Sequence, residues 1–69
     1  MKKIIINGKE VTVREPKVRD VRAVAHLKNE EEKEVHLIAN ISGLTVDEID
    51  DLGLKDYRQL QKELQDFLS

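Results

Sequence analysis

The residues in this chain that could do chemistry are few, and their spacing suits none of it. There is no cysteine, hence no thiolate nucleophile, no thiolate metal ligand and no disulfide. His26 and His36 are expected on two different helices, each partly buried, with no third ligand and no HExxH spacing. Asp47, Asp50 and Asp51 lack both the ligand spacing and the loop glycine of an EF-hand. Ser42 stands beside a turn glycine and Ser69 at the chain end, and no glycine-rich phosphate loop occurs. The glutamates Glu30, Glu31, Glu32 and Glu34 read as a solvated helix start, where carboxylates face the positive end of the helix dipole. Enzyme activity is therefore not expected, and no catalytic, cofactor-binding or metal-binding residue is assigned.

DNA binding is the sharper alternative. Ala39, Gly43, Ile49 and Leu52 fit the spacing of a helix-turn-helix regulator, with Ser42-Gly43-Leu44 as the turn. The recognition helix would then carry Asp47, Glu48, Asp50 and Asp51 with no Lys or Arg, and carboxylates repel phosphates. The spacing reports helix packing, and nucleic acid is not the expected partner.

The elements around these residues are easier to read. Asn7-Gly8 is a strong hairpin signal, because a type I′ turn needs positive φ at both central residues. It sets Ile6 opposite Lys9, Ile5 opposite Glu10 and Ile4 opposite Val11. One face then carries Ile4, Ile6, Val11 and Val13, and the other carries Lys3, Ile5, Glu10, Thr12 and Arg14. Pro16 ends the hairpin and opens a helix over about residues 17–28, with Val18, Val21, Val24 and Ala25 on its apolar side. A second helix is expected over 31–42, capped by Gly43, and a third over 46–52, opened by the Thr45/Glu48 capping box and closed by Gly53. The fourth covers about 55–68, with Asp56 and Gln59 as a second capping box. Tyr57, Leu60, Leu64 and Phe67 form its stripe. The expected architecture is α+β: an N-terminal β-hairpin (1–14) packed on a small bundle of about four short helices (17–68).

Sixty-nine residues allow one domain, 1–69. A core this small supplies roughly 3–5 kcal/mol, which favours self-association or stabilisation by a partner. No apolar run is long enough for a signal core or a membrane span, so a cytoplasmic protein is expected. Residues 1–28 carry a net +5 and residues 29–69 a net −7, an asymmetry suited to oriented contacts. The candidate partner-binding residues are Ile5, on the wet hairpin face, and Leu64, Phe67 and Leu68 near the end of the last helix. That helix has no cation in its last turn, and its end is expected to fray unless something binds it.

Three stretches together resemble a family. Arg14-Glu15-Pro16-Lys17-Val18-Arg19-Asp20 is similar to the REPTVGDL opening of small tail assembly chaperones of Mu-like and related contractile-tailed phages. Leu37 to Leu44 resembles their LLARLTGL segment, and Leu52 to Gln61 their LDLADYRALQ end, ahead of Phe67-Leu68. The resemblance implies a non-catalytic chaperone that binds the tape-measure protein and keeps it soluble while tail-tube protein, a second partner, polymerises around it. It further implies a cytoplasmic factor left out of the mature virion, and a longer frameshifted product in many such phages. A structural tail adaptor is the remaining alternative.

Overall fold

Two left-handed residues set the first element. Asn7 (φ 52°) and Gly8 (φ 78°) make the turn between β1 (Lys2–Ile6) and β2 (Lys9–Val13). The antiparallel register pairs Ile4 with Val11, Ile5 with Glu10 and Ile6 with Lys9. The alternation therefore has one solution: Ile6, Val11 and Val13 are buried and Ile5 faces solvent. A computed structural model describes residues 1–68 of the chain, and the expectations about Ser69 and the chain end lie outside them. The helices are α1 (Val18–Ala23), α2 (Glu30–Ser42), α3 (Val46–Asp50) and α4 (Leu54–Leu68), so the architecture is the expected α+β one.

α2 is fixed at both ends by its own sequence. Asn29 Oδ1 accepts the N–H groups of Glu31 (2.8 Å) and Glu32 (3.2 Å), and Gly43 at φ 79° donates its N–H to Ala39 O at 3.0 Å. Thr45 and Glu48 form the reciprocal capping box of α3: Glu48 N–H donates to Thr45 Oγ1 (3.1 Å) and Thr45 N–H to Glu48 Oε1 (2.9 Å). The Thr45 backbone N–H holds the Glu48 carboxyl below its usual range.

α1 is half its expected length. It ends at Ala23, and Ala25 and Leu27 donate three residues back, to Arg22 O and Val24 O. A helix this short depends on packing, and of its valine row only Val24 is buried while Val18 and Val21 face solvent. His26 consequently lies exposed in turns beyond α1 rather than on a helix. α3 also stops early, at the Asp51 cap. Gly53 is not left-handed and does not close α3. It precedes α4 instead, where its carbonyl accepts Tyr57 N–H at 3.0 Å. Because α4 begins at Leu54, Asp56 lies inside its first turn and is not its cap.

The core forms where β2, α2 and α4 meet. Ile38, Leu60 and Val13 are its most enclosed side chains, joined by Ile41, Leu64 and, from α3, Ile49. Burying each large aliphatic contributes about 2 kcal/mol. Glu63 is buried on the same helix and meets Lys2 Nζ at 3.2 Å, so β1 is tied to α4 by charge as well as by packing.

Candidate interaction surfaces

The hairpin is joined to the helices through Arg14, the residue that follows β2. Its backbone N–H donates to Ile41 O (2.9 Å), and its guanidinium donates to both Asp20 oxygens at 2.8 Å and to Asn40 O at 3.1 Å. Asp20 Oδ2 also accepts Lys17 N–H at 2.7 Å, capping α1. Asp20 is only 4% exposed, so its charge is compensated almost entirely by protein donors. The Arg14 hydrogen bond overcomes the effect of burial, and with help from Lys17 N–H it lowers the Asp20 carboxyl from 3.8 to about 2. The stretch Arg14–Asp20 is thus a clasp joining β2, α1 and the end of α2.

A second polar group ties α2 to α4. Glu34 Oε1 accepts the Tyr57 hydroxyl at 2.6 Å and Gln61 Nε2 at 2.8 Å. Burial, reinforced by the bond to Glu34, pushes the Tyr57 phenol well above its ordinary value. Beside this group an open groove of about 460 Å³ runs between α2, α3 and α4. Val35, Ile49 and Leu52 give it an apolar floor, and Leu54 stands at its edge 72% exposed. A smaller recess of about 200 Å³ lies between the hairpin turn and α3, over Ile6, Val11 and Leu44.

The candidate partner residues divide. Ile5 (58% exposed) lies on the outer hairpin face and Leu68 (55%) at the end of α4. Leu64 is a core residue, and Phe67 is half-buried against the same core. The stripe of α4 thus faces inward as far as Phe67, and only Leu68 is presented to solvent. Leu54, Val18 and Val21 are exposed apolar residues outside the candidate set. Leu54 follows a glycine and belongs to no periodic run until the helix start is known. The Arg14–Asp20 contact spans six residues and leaves no periodic trace.

The candidate chemistry finds structural uses. Ser42 Oγ donates to Ile38 O (2.7 Å) and accepts Leu44 N–H (3.2 Å). His36 Nε2 lies 3.7 Å from Glu32 Oε2, one helical turn away. Among the described residues no group of three or more His, Asp or Glu could hold a metal ion, and no helix is long and apolar enough to cross a membrane. On α3, the helix that would enter a DNA groove, Asp47, Glu48 and Asp50 are all exposed.

Compared with known proteins, residues 7–69 match the family described as "Phage tail assembly chaperone proteins, E, or 41 or 14". No curated protein and no solved structure matches the chain.

Proposed function

The chain belongs to the phage tail assembly chaperone family, and on that premise we propose that it binds the tape-measure protein and keeps it soluble while the tail tube polymerises around it. The family match across residues 7–69 is the observation that carries this reading. The surfaces are consistent with it. A small helical body with exposed Ile5, Leu54 and Leu68 can cover apolar segments of a client without enclosing them, and so can leave again. In this role the chain works as a binding module without catalysis, acts in the host cytoplasm and is displaced by tail-tube protein. The DNA-binding alternative is disfavoured by the carboxylates of α3, which would meet phosphates.

This role makes a prediction about timing. Assembly intermediates stalled before tube polymerisation should contain the chain together with tape-measure protein, and finished tails should contain none. Quantitative mass spectrometry of both fractions measures this. Retention at full occupancy in finished tails would support the structural adaptor instead.

A further inference from the structure

We propose that the groove between α2, α3 and α4 is the seat of the client, and that the segment it takes is an amphipathic helix with Lys or Arg flanking its apolar stripe. The inference rests on the tape-measure reading and adds to it a site and a chemistry.

Shape and apolar surface come first. The groove is open along its length, with Val35, Ile49 and Leu52 lining it with apolar surface between polar walls. Leu54 extends the apolar floor outward, so a docked helix can lay residues spaced three and four apart along Val35, Leu52 and Leu54. Charge then selects the occupant. Glu31, Glu34 and Asp50 line the groove against one cation, Arg58, within a half of the chain whose net charge is −7. An acidic helix would be repelled by these carboxylates and a neutral one would gain nothing from them, whereas Lys and Arg would pair with Glu31 and Asp50. The wall is also pre-organised, because Tyr57 and Gln61 hold Glu34 in place before anything binds.

A second copy of this chain is the competing occupant. Its α1 presents Val18 and Val21 beside Arg19 and Arg22. A helix of six residues supplies only those two short anchors, which favours a longer client helix.

The test uses the full chain and labelled overlapping peptides spanning the tape-measure protein, with affinity read by fluorescence anisotropy. The peptides that bind should be cationic and amphipathic, and their affinity should fall with added salt. The double variant Glu31→Lys/Asp50→Lys and the variant Leu54→Gln should each weaken binding roughly tenfold, about 1.4 kcal/mol. Thr12→Ser and Gln65→Ala, exposed and outside the groove lining, should leave it unchanged. All these side chains are exposed, so the variants should stay folded, and only Glu31→Lys, which takes a carboxylate from the first turn of α2, should lower the melting midpoint modestly. Wild-type affinity in the groove variants would overturn the site, and selection of acidic peptides would overturn the chemistry. Groove variants that lose self-association but keep the client would give the groove to a second copy. If the wild-type chain fails to bind even full-length tape-measure protein, the tape-measure reading fails and the groove assignment falls with it.

Discussion

Replacing Ile38 with alanine is expected to remove most of the stability of the fold at room temperature. Ile38 is 0% exposed and sits in the core cluster with Val13, Ile41, Ile49, Leu60 and Leu64. Truncating a large aliphatic at such a site costs about 2–5 kcal/mol. The whole domain holds only about 3–5 kcal/mol in reserve. Ile38→Val removes a single methylene and should cost about 1 kcal/mol, leaving a folded protein with a lower midpoint. Urea titration followed by circular dichroism measures both variants. A loss below 1 kcal/mol for Ile38→Ala would contradict the packing described around α2.

The second large effect belongs to the clasp. Asp20→Ala should destabilise the fold by about 2–3 kcal/mol, because it strands Lys17 N–H and removes the carboxylate that faces Arg14. The same pair makes stability depend on pH. The Asp20 carboxyl titrates at about 2 in the folded chain against 3.8 when free. A group whose folded value is lowered binds its proton more readily when unfolded. Its stabilisation is therefore complete above about pH 4 and is lost as the pH falls towards 2. The shift corresponds to about 2 kcal/mol, an upper figure because the Arg14 side chain is 37% exposed. Other carboxylates titrate in the same window, so the informative quantity is the stability of the wild type minus that of Asp20→Asn. This difference should be constant from pH 7 to about 4 and shrink towards pH 2. A difference that stays constant below pH 4 would show that Asp20 contributes no charge-dependent stability.

The hairpin and α2 are legible in the sequence because their signals are local and mutually exclusive with the alternatives. Asn7-Gly8 permits one register, and a shift by one residue would turn Ile4, Ile6, Val11 and Val13 outward. Asn29 and Gly43 bracket α2 with side-chain and left-handed caps. α1 is read too long because valines at 18, 21 and 24 repeat every three residues, and that pattern does not reveal that only Val24 finds a partner. Gly53 is misread because a glycine after a helix and a glycine before one look alike when the two helices nearly touch. For the surfaces, exposure at Ile5 follows from strand alternation, whereas Leu64 and Phe67 share one helical stripe with the core and cannot be told from it by spacing. The groove joins residues from α2, α3 and α4, so it exists only once the chain has folded. In the stretch Arg14–Asp20, the arginine and the aspartate join the hairpin to the helices.

The proposed role is that this chain solubilises a tape-measure protein by binding it. Co-expression of the two from one plasmid, with the client alone as control, measures that directly through the soluble client fraction and its co-purification. A client that is insoluble alone should become soluble and co-purify when this chain is present. A client that stays insoluble, or that is soluble without co-purifying, would contradict that role.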